Sequence, residues 1–185
     1  GGSLSVDGTA KEFNKSIRFT HAGGIHLVSE TGDVLLREGA LVSASGDARG
    51  GNAGQIDISA ANGAFRSSAE VSGTATKGFE QGSFRLDVKS VTNSGPGSLA
   101  ALNAGLDKGG FTNSRAFRIR EGDVAIDHLV TSHEFSLAAD TGSILVTGRI
   151  DASGTTGGSI SLSAHGDLVL AGGSSLTVRA SGFDS

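Results

Sequence analysis

The sequence predicts an all-β fold, a parallel β-helix (β-solenoid) carrying one short helix or irregular insertion around 98–108. Three observations predict it. Gly, Ser and Thr make up about 37 % of the 185 residues, a composition that suits turns and outward strand positions and penalises helix interiors. Apolar residues recur two apart in a series of short runs, nearly all bounded by Gly, Asn, Asp or Ser. An internal repeat keeps that alternation in phase while its joints change length. Leu, Ile, Val and Phe supply about 25 % of the chain, enough to bury a core and so to exclude a disordered polymer. A single Pro and the lack of a glycine triplet exclude collagen.

The runs, in order, are Ile25–Val28, Val34–Leu36, Ile56–Ile58, Phe84–Val88, Phe117–Ile119, Val124–Ile126, Phe135–Leu137, Ile144–Val146, Ile160–Leu162, Leu168–Leu170 and Leu176–Val178. Many hold only three to five residues, too short for an immunoglobulin-like sandwich but suited to the faces of a solenoid coil. HLVSETGDVLL (His26–Leu36) is matched by SLAADTGSILV (Ser136–Val146), VSASG (Val42–Gly46) by IDASG (Ile150–Gly154), and GQIDISA (Gly54–Ala60) by GSISLSA (Gly158–Ala164). The offset falls from 110 to 108 to 104 residues, and both losses lie in Gly-rich joints. Turns absorb length changes and stacked strands do not. The copies, about 25–75 and 135–180, therefore read as stacked coils of roughly 20 residues whose strands pair in parallel one coil away. Val34, Leu36, Ile56, Ile58, Ile144, Val146, Ile160, Leu162, Leu168 and Leu170 are expected to point inward, and Gly32, Gly142, Gly154 and Gly166 to sit in turns.

Between the copies lies a helix-bearing insertion, about 93–114. Ser98 caps a short helix over 98–108 with Leu99, Leu102 and Leu106 on one face, Lys108 favourable at its end and Gly109 stopping it. So short a helix must lie against the solenoid. With no Met, 1–185 is read as a single β-helix segment of a longer chain, and its coil edges at Gly1–Thr9 and Ser181–Ser185 are expected to fray or to associate end to end.

Composition also narrows the chemistry. The absence of Cys removes disulfides, thiol nucleophiles and thiolate metal sites. No Trp or Tyr offers a stacking platform for sugars or bases. A net charge of −4 without a basic cluster in the sequence makes nucleic acid an unexpected partner, and apolar runs of a few residues predict no membrane insertion. Asp127–His128 beside His133–Glu134 is the densest set of metal-ligand types, but no HExxH motif or Cys pair supports it. Asp123 and Asp127 share one strand face, as a glycosidase carboxylate pair does, though alternation alone produces that pattern. Gly95–Ala100 matches GxGxxA before a helix but lacks a βαβ context, and Gly50–Ile58 departs from the calcium-binding nonapeptide at Ala53 and Gln55. All of these read as solvated turns and strand faces, so no catalytic, cofactor-binding or metal residue is assigned and no cofactor is expected.

SLAALNAGLDKGGF (Ser98–Phe111), RAFRIREGDVAID (Arg115–Asp127) and HEFSLAADTGSILVTGRIDASGTTGGSISLSAHGDLVL (His133–Leu170) together resemble the filamentous haemagglutinin-like exoproteins of bacterial two-partner secretion. The series Gly142–Leu170 is the specific part, and the resemblance spans about three quarters of the chain. It implies a right-handed parallel β-helix forming a long rod, threaded unfolded through a dedicated outer-membrane pore. A chain without Cys suits such threading. The family's N-terminal secretion domain, which engages the pore, is not in this sequence. The expected function is a non-catalytic rod segment of an adhesin, secreted or on the outer surface of a Gram-negative bacterium. Its expected partners are the outer-membrane transporter during export and a host-cell or matrix receptor. The alternative is a polysaccharide-acting β-helix enzyme or tailspike-like depolymerase.

Overall fold

A computed structural model describes residues 1–92 and 94–182, so Phe183–Ser185 of the expected C-terminal edge lie outside the described residues. The chain is a parallel β-solenoid with one short helix. It opens with β1 (Ser3–Ser5) and a hairpin of β2 (Ala10–Phe13) and β3 (Ser16–Phe19). Two coils follow: β4 (Gly24–Val28), β5 (Val34–Leu36) and β6 (Leu41–Ser43), then β7 (Gln55–Ser67) and β8 (Glu70–Ser72). The next coil holds β9 (Ser83–Ser90), a 3-10 turn (Gly95–Gly97) and α1 (Leu99–Lys108). Three regular coils complete the chain: β10 (Ser114–Ile119), β11 (Val124–Ile126) and β12 (Leu129–Thr131); β13 (Glu134–Ala139), β14 (Ile144–Val146) and β15 (Arg149–Asp151); β16 (Ser159–Ala164), β17 (Leu168–Leu170) and β18 (Ser175–Thr177).

Each coil runs across three faces. The long face is continuous, in the order β4-β7-β9-β10-β13-β16. The second face pairs β5 with the end of β7, then stacks β11-β14-β17; the third stacks β1-β6-β8, then β12-β15-β18. All of these pairings are parallel. On the long face, Leu27, Ile58, Leu86, Phe117, Leu137 and Leu162 form one in-register column. These residues are 31, 28, 31, 20 and 25 positions apart, so the expected coil of roughly 20 residues holds for one step only. The strands keep a constant register, and the loops and the helix take up the difference.

The helix replaces two strands. After β9 the chain makes no strand on the second or third face; the 3-10 turn and α1 occupy that level, and α1 packs against β8, β11 and β12. The Ser98 hydroxyl accepts the Ala101 N–H at 3.2 Å, and Leu99 and Leu106 are buried with Leu102 packed against the core. No helix among the described residues is long and apolar enough to cross a membrane.

The inward positions are buried or partly buried as expected except Leu168 and Leu170 of the last coil. Ile56, Ile58, Ile144 and Val146 are buried, and Val34, Leu36, Ile160 and Leu162 pack partly buried against the core. Leu168 and Leu170 continue the columns of Ile144 and Val146 but are 48 % and 54 % exposed, since no described coil lies over them. Gly32, Gly142 and Gly166 occupy corner bends, and Gly154 a loop bridge to Ala180. A Cβ at Gly142 would overlap the Gly122 carbonyl one coil below, which explains the glycine at that corner.

The β2–β3 hairpin is an element the sequence reading did not expect. Asn14 and Lys15 form its turn with φ of 47° and 67°, the paired positive values that two-residue hairpins use. Its base is tied down by Asp47, which accepts the Ala10 N–H at 3.1 Å, while the Arg49 guanidinium donates to the Ala10 carbonyl. Phe19 meets Phe79 edge to face at 5.0 Å. Hydrogen bonds from the Arg49 side chain, then from backbone N–H groups, hold the Asp47 carboxyl at about 2.

Two measurements check this architecture. Leu137→Ala, in the middle of the stack, is expected to cost about 2–5 kcal/mol in urea unfolding, whereas Leu170→Ala at the open end should cost less than about 1 kcal/mol. Asp47 has a lowered folded pKa, so its contribution is present above the unfolded value of 3.8 and lost as pH falls towards about 2. NMR shifts of 10–19 should therefore move across that window while those of β13 stay fixed.

Candidate functional site

Corner chemistry decides how the sequence-flagged carboxylates read. At the turn from the long face to the second face, the side chain of one coil accepts the backbone N–H of its equivalent in the next. Asp33 accepts from Ala64 at 2.8 Å, Asp123 from Ser143 at 2.8 Å, and the Ser143 hydroxyl from Asp167 at 3.0 Å. The corner between the third face and the long face repeats the device: Asp7 accepts from Ser45 at 2.7 Å, the Ser45 hydroxyl from Thr74 at 3.3 Å, and the Ser153 hydroxyl from Arg179 at 3.1 Å. Asp123 is one rung of such a ladder, more than the solvated position expected of it.

Asp123 and Asp127 both line one cleft of about 150 Å³, with Val124 and Ala125 between them and with Thr92, Ser98 and Leu99 at the start of α1. Their side chains alternate outward around buried Val124 and Ile126, as the spacing predicts. The hydrogen bond from His128 holds the Asp127 carboxyl below its ordinary value, the opposite of what a proton-donating acid needs.

His128 belongs to a network that runs into the core. Its Nδ1 lies 3.0 Å from Asp127 Oδ1, and its Nε2 lies 3.0 Å from Asn103 Nδ2. Asn103 Nδ2 also donates to the Leu99 carbonyl at 3.1 Å, and its Oδ1 accepts from Arg115 Nη1 at 2.9 Å. With the amide oriented this way, His128 accepts at Nε2 and donates from Nδ1 to Asp127. Both ring nitrogens are thus committed, leaving none to activate a nucleophile.

Arg115 is the centre of the network. It stands in the long-face column between Phe84 and Phe135 with its side chain wholly buried. Its Nε donates to the Phe111 carbonyl at 2.7 Å and its Nη2 to Asp107. Burial pushes the guanidinium pKa down and the Asp107 carboxylate pushes it back up. No buried side-chain polar atom among the described residues lacks a partner. Asn103, Asp107 and Arg115 were not flagged from sequence, although two signals existed. Arg115 occupies an inward position in the alternation Arg115, Phe117, Ile119, and Asn103 shares the buried helix face of Leu99 and Leu106.

The remaining candidates stay apart. His133 Nε2 lies 3.4 Å from Thr156 Oγ1, and Glu134 is exposed. Among the described residues, no three His, Cys, Asp or Glu side chains are placed to hold a metal ion. Gly95–Ala100 forms the 3-10 turn and capped start of α1, with Gly95 at φ 76°. α1 leads into β10, which pairs in parallel with β9, so one strand–helix–strand step is present. It sits in a solenoid stack with a single α-helix among the described residues, and not in the alternating β and α sheet that a dinucleotide site belongs to. No protein-family model, no curated protein and no solved structure matches the chain.

The network makes a graded prediction. Asp107→Asn leaves a buried guanidinium without its counter-ion and is expected to cost about 2–4 kcal/mol. Asp140→Asn, which breaks the more exposed pair with Arg118, should cost less than about 1 kcal/mol. Urea unfolding of both variants checks the difference.

Proposed function

We propose that this chain is a rod segment of a bacterial adhesin of the filamentous haemagglutinin-like kind. It would be secreted or held on the outer surface of a Gram-negative cell, where it carries binding regions outward and catalyses nothing. The observation that supports this most is the stack itself: from β4 to β16 the long face pairs strand on strand in parallel, the construction a rod requires.

The sequence resemblance supplies the finer reading: export through an outer-membrane transporter of the two-partner type, then contact with a host-cell or matrix receptor by the assembled protein. A chain without Cys threads an export pore without a disulfide to hinder it. Folding by adding one coil to the previous one suits a chain that emerges unfolded. The alternative, a polysaccharide-acting enzyme, draws on one observation, the shared cleft of Asp123 and Asp127.

The two readings separate experimentally. Substituted for a rod segment in a filamentous haemagglutinin-like exoprotein, this chain should permit export and preserve adhesion. The purified chain should release no reducing ends from neutral or acidic polysaccharides. Cleavage that disappears in Asp123→Asn or Asp127→Asn, which keep an acceptor oxygen for Ser143 and His128, in variants that unfold cooperatively like the native chain, would establish the enzyme instead.

A further inference from the structure

The hairpin β2–β3 stands apart from the rod in construction and in surface. It is the one antiparallel strand pair among the named strands, and its cross-strand partners are Ala10 with Phe19, Lys11 with Arg18, Glu12 with Ile17, and Phe13 with Ser16. Partners share a face. Lys11, Phe13, Ser16 and Arg18 therefore lie on one side, and Ala10, Glu12, Ile17 and Phe19 on the other. Lys11 and Arg18 set two like charges directly opposite each other, an arrangement that costs stability unless something anionic meets it. Among the described residues, Lys11, Lys15 and Arg18 form no ion pair with an acidic side chain. Glu12, the one acid of the hairpin, lies on the other face, within electrostatic reach of Arg49. The hairpin thus gathers three cations against one acid, in a chain whose net charge is −4.

Its tip is also apolar on both sides. Phe13 is 53 % exposed and Ile17 48 %, on opposite faces next to the Asn14–Lys15 turn. Lys11 Nζ lies 5.3 Å from the Phe13 ring centroid, so cation and ring form one surface. The base, in contrast, is fixed by Asp47 and by Phe19 against Phe79, which gives the tip a rigid mount.

This pattern selects among anionic partners. An acidic peptide or a sulfated glycan would cover the Lys11–Arg18 face and leave Ile17 in water. A fluid headgroup layer closes around both faces of a wedge, taking Phe13 and Ile17 into its apolar boundary while phosphates meet the cations behind them. We propose that the hairpin tip docks on an anionic lipid surface, with Phe13 and Ile17 entering the headgroup layer and Lys11, Lys15 and Arg18 on the lipid phosphates. The contact is interfacial, spans nothing, and does not depend on the rod reading.

The test uses the chain's lack of Trp and Tyr. In Phe13→Trp the single indole reports the tip directly. Its emission should shift to the blue with vesicles of phosphatidylglycerol mixed equally with phosphatidylcholine, and stay unchanged with phosphatidylcholine alone. The native chain should co-sediment with the anionic vesicles in a salt-sensitive way. Binding should fall about tenfold or more in Lys11→Gln/Arg18→Gln and by a similar factor in Ile17→Ser. Both variants change exposed side chains, and an unfolding midpoint near the native one confirms that each is folded. Failure of the native chain to co-sediment with the anionic vesicles overturns the proposal, as does binding that Ile17→Ser leaves intact. Displacement by dextran sulfate, with binding to that polymer indifferent to Ile17, would assign the hairpin to anionic glycans instead.

Discussion

The structure depends on one constraint: along each stacked face, a strand residue sits directly on its equivalent in the next coil. A parallel pair keeps all its backbone hydrogen bonds only while register is constant, and here it is constant along most of the long face. A small slip occurs between Ala60 and Ala64, where β7 bends from the long face to the second. From that constraint the core follows as columns of Leu, Ile, Val and Phe, with neighbouring Phe rings of β9, β10 and β13 meeting edge to face at 6.4 and 5.8 Å. The corners obey the same rule. Side chains of Asp33, Asp123 and Ser143 reach one coil onward to a backbone N–H, and glycines such as Gly142 let one corner rest on another. On the outside of the long face, charges pair along the stack, Arg120 gripping Asp87 through two bonds of 2.7 and 2.9 Å.

The helix coil tests how far the constraint bends. Removing two strands from one level interrupts the second and third faces, leaving strand edges that α1 covers without pairing them. A helix cannot continue a strand column, so its contact with the stack needs another kind of specificity. The network of Asp107, Arg115, Asn103, His128 and Asp127 provides it, joining α1 to the column on one side and to the corner after β11 on the other. Buried charge is a poor source of net stability, but its directional bonds define a single seat for the helix. Apolar packing of Leu99, Leu102 and Leu106 supplies adhesion without that selectivity.

How much of this is legible in the sequence depends on how many residues of a strand face inward. Second-face strands place their first and third residues inward, as in Val124 and Ile126 or Ile144 and Val146, and the alternation shows. Third-face strands hold one inward residue each, such as Val42, Val130 or Ile150, and a single residue has no period. The Ser98 cap was readable because its chemistry is local. The β2–β3 hairpin was not, since both its faces meet solvent and its Asn14–Lys15 turn lacks the usual glycine. Arg115 and Asn103 escaped notice because polarity marks a residue as outward until the partner that satisfies it is known. The exposure of Leu168 and Leu170 is a property of their level in the stack, which no local pattern records.

The central claim is that the long face is a continuous in-register stack, and one distance tests it. Val28 and Ser163 lie at the two ends of an outward column that passes through Ser59, Asp87, Arg118 and Ala138. A chain without Cys takes two spin labels cleanly at Val28→Cys and Ser163→Cys. Five strand spacings of about 4.8 Å predict a backbone separation of about 24 Å, and pulsed dipolar spectroscopy should report a single narrow distribution near that value. A broad distribution, or a distance far from five spacings, would contradict the stack.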